Sequence, residues 1–183
     1  MEYSTLDKLG VRVSRLGFGC MRFPLTAEGK IDEPRAAAML DTAYKAGVTY
    51  YDTAYFYHQH TGEAFLGRAM KRYPRDTFYL ATKMPMSIVE SLDHAKEIFE
   101  GQLAALQTDY VDFYLLHGVN GERWKQAQEM GIVDFLLEMQ KAGRIRHFGF
   151  SFHGSYEEFE TILTARDWDF CQIQFNYMDQ EIQ

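Results

Sequence analysis

Four chemically reactive side chains occur at the ends of apolar segments or just beyond them. They are a carboxylate, a phenol, an ammonium and an imidazole, carried by Asp52, Tyr57, Lys83 and His117. A phenol ordinarily has a pKa of about 10, which is too high for easy proton transfer at neutral pH. A neighbouring ammonium lowers the pKa of a phenol, and a carboxylate paired with that ammonium keeps it charged and oriented. The four groups are therefore suited to protonating an oxygen atom during a reaction.

An oxygen that needs a proton arises when a carbonyl is reduced to an alkoxide. Lys83 and His117 are suited to stabilising the charge that develops on it. The reduction requires a hydride, which no side chain supplies, so this interpretation implies a nicotinamide cofactor. Ser151 and Gln172 fit such a cofactor, because hydroxyl and amide side chains match the acceptor and donors of a nicotinamide carboxamide.

The residues that would do this chemistry must be positioned by alternating strands and helices. Apolar runs alternate with amphipathic helical patterns at intervals of roughly thirty residues, which predicts a parallel α/β fold. The segment EYSTLDKLGVRVS alternates around a turn and predicts a β-hairpin before the first of these strands. The six predicted strands lie near residues 15–20 and in VTYYDTA, TFYLATK, YVDFYLLH, IRHFGFS and DFCQIQFNY.

The predicted helices have recognisable ends. Asp32 is the predicted N-cap of the first helix, and Gly47 and Gly143 follow helices as C-terminal stops. The polar segment GERWKQAQE, after His117, is predicted to be a solvated loop. The helical segments are IDEPRAAAMLDTAYKAG, GEAFLGRAMKRY, SLDHAKEIFEGQLAALQ, GIVDFLLEMQKAG and YEEFETILTAR.

Two parallel architectures compete for this alternation. A doubly wound dinucleotide-binding fold calls for G-x-G-x-x-G after the first strand, but GFGCMR has Arg22 in place of the third glycine. A (β/α)8 barrel of the TIM type instead demands polar groups at the C-terminal ends of successive strands, because those ends meet at one mouth. Four predicted strand ends carry such a group: Asp52, Lys83, His117 and Ser151. We therefore predict one barrel-type domain over residues 1–183.

Composition and charge argue against several other classes of protein. The chain has a formal net charge of -7 and a pI near 5.3, without a cluster of Lys and Arg, so nucleic acid is not an expected partner. It has no run of about 18 apolar residues and no signal-peptide pattern, so we expect a cytoplasmic protein rather than a membrane or exported one. Cys20 and Cys171 lie outside metal-ligand spacing, and His58 and His60 lack further ligands nearby, so no metal site is expected.

Several motifs resemble those of the aldo-keto reductase family in order and approximate spacing. They are YYDTAYFY, LATK, YVDFYLLH, GRIRHFGFS and CQIQFNY. The resemblance covers essentially the whole chain and implies a barrel enzyme that reduces an aldehyde or ketone with NADPH or, less often, NADH. It also implies a catalytic tetrad with the tyrosine as general acid, formed by Asp52, Tyr57, Lys83 and His117.

The resemblance further implies where the cofactor binds. In that family the residues matching Ser151 and Gln172 hold the carboxamide, and a loop matching Gly19, Cys20 and Met21 approaches the cofactor. No metal is implied for this chain.

The amino-acid sequences of three segments most resemble those of a bacterial and archaeal branch of the family. Many members of that branch carry a cysteine-rich, iron–sulfur-type tail. The segments are GFGCMRFP, AYFYH and GFSFHG. No such tail occurs in this sequence. Phe152 also stands where many relatives have an asparagine that forms a hydrogen bond with the carboxamide.

The length of the sequence departs from that of a complete barrel. A closed barrel typically takes about 250 residues, and only six of its eight strands are predicted here. In the family, the last two strands bring the aromatic residue that stacks on the nicotinamide and the basic residues that bind the adenosine phosphate. We therefore predict a C-terminally incomplete barrel: a truncated chain, a split protein completed by a partner chain, or an assembly that closes the sheet by self-association.

Two functional hypotheses result from the sequence. The first is an NAD(P)H-dependent oxidoreductase, or a fragment of one, that reduces a small aldehyde or ketone to an alcohol. The alternative is a non-catalytic barrel fragment or subunit that needs a partner chain to complete the cofactor site. The sequence leaves the substrate and the choice between NADPH and NADH open, because specificity in such barrels lies in the loops.

Overall fold

The computed structural model describes residues 1–178, and residues 179–183 of the predicted domain lie outside this range. An N-terminal antiparallel hairpin precedes six parallel strands that alternate with helices. The strands are β1 Tyr3–Leu6, β2 Val11–Ser14, β3 Phe18–Gly19, β4 Tyr50–Asp52, β5 Tyr79–Met84, β6 Val111–Val119, β7 Ile145–Phe152 and β8 Phe170–Ile173. The α-helices are α1 Glu33–Lys45, α2 Gly62–Met70, α3 Leu92–Leu106, α4 Gly121–Glu129, α5 Ile132–Lys141 and α6 Tyr156–Thr164.

The six parallel strands form one sheet in chain order, from β3 at one edge to β8 at the other. Each connection between neighbouring strands contains at least one helix, as parallel pairing requires. All six C-terminal ends therefore lie on the same side of the sheet, and the predicted barrel-type architecture is confirmed for this half of a barrel. Within residues 1–178 the sheet stays open, because β3 and β8 do not pair.

The hairpin of β1 and β2 covers the floor of the half-barrel. Gly10 makes its turn with φ at +66°, a conformation that a side chain would strain. Leu9, Val11 and Val13 pack against an inner cluster that contains Phe113. The first residues of β4 and β5 contact the same cluster, so the hairpin closes the N-terminal end of the strands.

The first helix begins where the sequence predicts. Asp32 Oδ1 accepts a hydrogen bond from the main-chain nitrogen of Arg35 at 3.2 Å, which caps α1. Ala36 and Leu40, four residues apart, form its buried stripe. The main core lies between such helical stripes and the outer face of the sheet.

The segment GERWKQAQE is a helix, α4, and the prediction of a solvated loop is wrong. Asn120 caps it by accepting a hydrogen bond from the main-chain nitrogen of Arg123 at 2.9 Å. Trp124 and Ala127 are buried one helical turn apart, and Trp124 packs on Trp168 with ring centroids 5.4 Å apart. Because only two residues of the segment face the core, its composition resembles that of a loop.

Three further observations bear on the expectations from composition. No helix in the described part of the chain is long and apolar enough to cross a membrane. Among the same residues, no three His, Cys, Asp or Glu side chains are grouped so that they could hold a metal ion. Cys20 and Cys171 are free thiols.

Candidate active site

A buried ion pair joins the ends of β4 and β5. The register pairs Asp52 with Ala81, and Lys83 lies two residues further along β5, on the same inner face as Ala81. Lys83 is only 2% exposed. Its Nζ donates to Asp52 Oδ1 at 2.6 Å and to the main-chain oxygen of Thr53 at 2.8 Å. The predicted pairing of this aspartate and lysine is present.

The surroundings of Asp52 make the pair mutually dependent. Burial raises the pKa of the Asp52 carboxyl, and the charge and hydrogen bond of Lys83 act in the opposite direction. The second carboxyl oxygen, Asp52 Oδ2, is buried without a hydrogen-bond partner among the described residues. An ionised Asp52 therefore depends on Lys83 for compensation, and Lys83 depends on Asp52 for its orientation.

Tyr57 lies on the loop that follows β4, above the ion pair. Its hydroxyl is 3.5 Å from Lys83 Nζ, at the outer limit of a hydrogen bond, and Lys83 Nζ lies 5.2 Å from the centroid of its ring. The next three residues, 58–60, all have positive φ, between 52° and 67°. His58 Nε2 lies 3.0 Å from the main-chain oxygen of Cys20, which links this loop to the segment after β3.

His117 reaches the same mouth from β6. Its ring centroid is 6.3 Å from that of Tyr57, and the two rings are nearly perpendicular. The register of β6 against β7 shifts between Leu116 and Val119, so His117 lies in an irregular stretch of this strand pair. Burial, with the nearby positive charge of Lys83, lowers the pKa of His117 to about 4. At neutral pH His117 is therefore an uncharged hydrogen-bonding group.

The two residues predicted to hold a carboxamide are neighbours. Ser151 on β7 and Gln172 on β8 are register partners. Ser151 Oγ accepts a hydrogen bond from the main-chain nitrogen of Gly118 at 2.8 Å and lies 3.5 Å from the main-chain oxygen of Leu116. Gln172 is exposed on the edge strand. Ser151 is thus already engaged with the irregular end of β6, and Gln172 is accessible.

The predicted loop of Gly19, Cys20 and Met21 divides into accessible and buried parts. Gly19 ends β3 as the register partner of Asp52, and a Cβ added there would meet no atom within 4 Å. Cys20 is fully buried, and burial raises the pKa of its thiol well above the ordinary value. Met21 is exposed. Gly19 and Met21 therefore face open space at the mouth, whereas the Cys20 side chain belongs to the core.

Sequence reasoning missed a polar cluster behind Lys83. Glu63, Thr82, Gln102 and Tyr114 are hydrogen-bonded to one another in the layer between the sheet and α2 and α3. Glu63 has the signature of an ordinary acid in the first turn of a helix, so nothing marks it as buried. The one available signal is Gln102, which lies on the apolar face of an otherwise regular amphipathic helix.

Comparison with known proteins relates this site to a family. The model of the aldo/keto reductase family matches residues 15–183. The chain is 29% identical to aldo-keto reductase YhdN of Bacillus subtilis (strain 168), over 100% of this chain and 56% of the relative. It is 32% identical to norsolorinic acid reductase stcV of Emericella nidulans, over 78% of this chain and 40% of the relative.

A solved structure gives the same assignment. The holo form of aldo-keto reductase AKR11C1 from Bacillus halodurans matches with a TM-score of 0.78 at 30% identity, over 96% of this chain and 58% of that chain. The chain thus spans little more than half the length of the Bacillus subtilis relative and of this solved structure. The resemblance predicted from the motifs is confirmed, because the family match covers nearly all of the sequence and the fold agrees with it. The chain belongs to the aldo/keto reductase family.

Proposed function

We propose that this chain is, or forms part of, an NAD(P)H-dependent oxidoreductase that reduces an aldehyde or ketone to an alcohol. One observation carries the proposal. The Nζ of Lys83 lies 2.6 Å from the Asp52 carboxylate and 3.5 Å from the Tyr57 hydroxyl, at the C-terminal ends of parallel strands. An ammonium in this position can stabilise the negative charge that a phenol acquires when it gives up its proton.

In the proposed reaction Tyr57 donates its hydroxyl proton to the substrate oxygen. Lys83 stabilises the phenolate that remains, and Asp52 keeps Lys83 oriented. His117 is neutral at pH 7, so it contributes a directed hydrogen bond to the substrate oxygen rather than a full positive charge. A bound nicotinamide would supply the hydride for the carbonyl carbon.

The residues around the mouth fit a nicotinamide cofactor. The carboxamide needs both donors and acceptors, and the hydroxyl of Ser151 and the exposed amide of Gln172 lie side by side on β7 and β8. On the opposite edge, Gly19 has open space around its Cα and Met21 is exposed, so both are accessible to a cofactor. We propose NADPH as the cofactor, with NADH as the alternative.

The alternative proposal is that the cofactor site needs further strands from another chain or from a second copy. The open edges of the sheet support it, because natural sheets cover or pair such edges. The exposed side chains of Phe175, Tyr177 and Met178 beyond β8, and an apolar groove that includes Leu16 and Met39 beside β3, also support it. We further propose a cytoplasmic location and a single domain, which the two free thiols and the continuous core favour.

A fluorescence titration with NADPH and NADH, followed by an aldehyde and ketone assay, tests both proposals. Tyr57→Phe should lower carbonyl reduction at least about 100-fold, the scale of general acid catalysis, while cofactor affinity stays within about threefold of wild type. Tyr55→Phe, which removes a hydroxyl from the same loop, is the matched control and should retain activity. Undiminished turnover by Tyr57→Phe would contradict the role of Tyr57. A folded chain that binds neither cofactor would favour the alternative.

A further inference from the structure

A buried carboxyl group lies directly behind the strand that carries Lys83. Glu63, in the first turn of α2, is 5% exposed, and Gln102, in the C-terminal half of α3, is 1% exposed. Both side chains reach the helix-facing side of β5, whereas Lys83 projects from its inner face. Because successive side chains of a strand point to opposite faces, Thr82 is the residue of β5 that meets them.

The cluster is joined by hydrogen bonds from four elements. Glu63 Oε1 accepts from Thr82 Oγ1 at 2.5 Å and from Gln102 Nε2 at 2.8 Å. Tyr114 on β6 donates its hydroxyl proton to Gln102 Oε1 at 2.6 Å. That bond orients the amide, so its nitrogen must face Glu63 and β5.

The amide of Gln102 also acts on Lys83 itself. Its Nε2 donates to the main-chain oxygen of Lys83 at 3.0 Å. The backbone position from which the lysine side chain projects is therefore tied, through one amide, to the carboxyl of Glu63. At the other end of the residue, hydrogen bonds to Asp52 and to the main-chain oxygen of Thr53 hold the ammonium.

Packing alone does not account for this cluster. Burying a carboxyl in the layer between helices and sheet is costly, and apolar side chains of similar volume commonly fill such a position at lower cost. Burial raises the pKa of the Glu63 carboxyl, whereas its two hydrogen bonds and the charge of Lys83 act in the opposite direction. A carboxyl that interacts electrostatically with Lys83 from behind is better explained by the need to hold the end of β5.

The distance from Lys83 to Tyr57 shows why the end of β5 must be held in place. At 3.5 Å the contact is at the limit of hydrogen bonding, so a shift of roughly half an ångström at the end of β5 would abolish it. We propose that Glu63 and Gln102 are positioning residues that fix the main chain of Lys83, so that its ammonium stays within reach of the Tyr57 hydroxyl. This inference rests on the proposed carbonyl reductase function.

The test compares Glu63→Leu with Glu63→Gln. Leucine removes the acceptor, so Gln102 and Thr82 lose their common partner; glutamine keeps an acceptor oxygen at the same place. We expect Glu63→Leu to lower kcat at least tenfold with KM for the carbonyl changed less than threefold, and Glu63→Gln to restore kcat to within about threefold of wild type. Equal kcat in all three proteins would overturn the proposal.

The matched control is a second buried carboxyl, which lies at the N-terminal end of the parallel strands. Asp112, near the start of β6, accepts from the main-chain nitrogen of Leu80 at 2.9 Å and from Arg75 at 2.6 Å. Asp112→Leu should lower the unfolding midpoint in urea, as Glu63→Leu does, without lowering kcat of the folded protein. If Asp112→Leu lowers kcat as much as Glu63→Leu does, the effect is general instability and the proposal fails.

A readout that does not depend on turnover separates this inference from the proposed function. The 13C signal of the Tyr57 ring, assigned by its loss in Tyr57→Phe, should move in Glu63→Leu, return in Glu63→Gln and stay in place in Asp112→Leu. If the wild-type protein reduces no carbonyl, the proposal that this chain alone is the reductase fails, while this signal still decides the positioning role. If Glu63→Leu does not fold, Thr82→Val should move the Tyr57 signal, and an unmoved signal would overturn the inference.

Discussion

At the scale of single residues, the ionisable groups of the mouth are controlled by burial and by one another. A lysine that is nearly inaccessible to solvent is stable as a cation only when partners compensate its lost hydration, and Asp52 and the Thr53 carbonyl do so here. Burial, together with the same cation, makes a second positive charge on His117 unfavourable. Burial and the ammonium of Lys83 thus act together on the pKa values of Asp52 and His117, in opposite directions for Asp52 and in the same direction for His117.

The lowered pKa of His117 predicts a pH dependence of stability. An imidazole with a pKa of about 6.5 in the unfolded chain and about 4 in the folded one stabilises the fold fully above pH 6.5. That contribution is lost as the pH falls from about 6.5 to 4, because the unfolded state binds the proton first. His117→Gln should therefore lose less stability than wild type over this range. Urea unfolding at pH 7, 6, 5 and 4 measures the difference, and parallel curves for the two proteins would contradict the lowered pKa.

At the scale of elements, the strand ends are held in place by the helices behind them. α2 crosses α3 so closely that Gly67 has no room for a side chain, since a Cβ there would overlap the main chain of Ala105 and Leu106. The same approach brings Glu63 and Gln102 together behind β5. In the proposed positioning role, the spacing of α2 and α3 therefore affects the position of Lys83, whose side chain lies on the inner face of the sheet.

Two helical glycines give opposite predictions for the same substitution. Gly67→Ala should destabilise the protein by about 1–3 kcal/mol, because the added methyl group overlaps backbone that cannot move without shifting α3. Gly101→Ala, on α3, meets no atom within 4 Å and should stabilise the protein by up to about 1 kcal/mol through helix propensity. Urea unfolding of both variants measures the two changes. A stabilising Gly67→Ala would contradict the close helix crossing.

At the scale of the whole molecule, the dominant feature is a parallel sheet whose two edge strands, β3 and β8, do not pair with each other within residues 1–178. The hairpin covers the floor of the half-barrel, but within residues 1–178 no strand covers β3 or β8. Exposed edges offer unpaired main-chain groups to other chains. The chain spans little more than half the length of relatives that it matches.

The open edge predicts self-association of the isolated chain. At high concentration, light scattering after gel filtration should give a mass above the 21.3 kDa of one chain. Ile173→Lys places a charge on the β8 edge and should shift the distribution towards the monomer. Leu163→Lys is the matched control, because Leu163 on α6 is 40% exposed and Ile173 is 39% exposed. A monomeric wild type, or an equal effect of both substitutions, would contradict association through the edge.

Sequence alone determined the order of the strands and of five of the six described α-helices, and the identity of the tetrad candidates. The spacing of apolar residues differs between strands and helices, so the two can be told apart in a sequence. Polar residues at the ends of successive buried strands, such as Lys83 and His117, contrast with the apolar runs before them. Helix α4 was missed because only Trp124 and Ala127 of its residues are buried. Glu63 was missed because a first-turn acid has the same sequence signature whether it is buried or exposed.

The tertiary structure alone decided distances, charge states and available bonds. It brings Tyr57 within 3.5 Å of Lys83, makes His117 neutral and commits Ser151 to the main chain of Gly118. Each of these depends on residues that are 26 or more positions apart in the chain, and on how much water their packing removes. Periodicity in a sequence reports which face of an element is buried, whereas hydration and hydrogen-bond distance depend on what the fold places against that face.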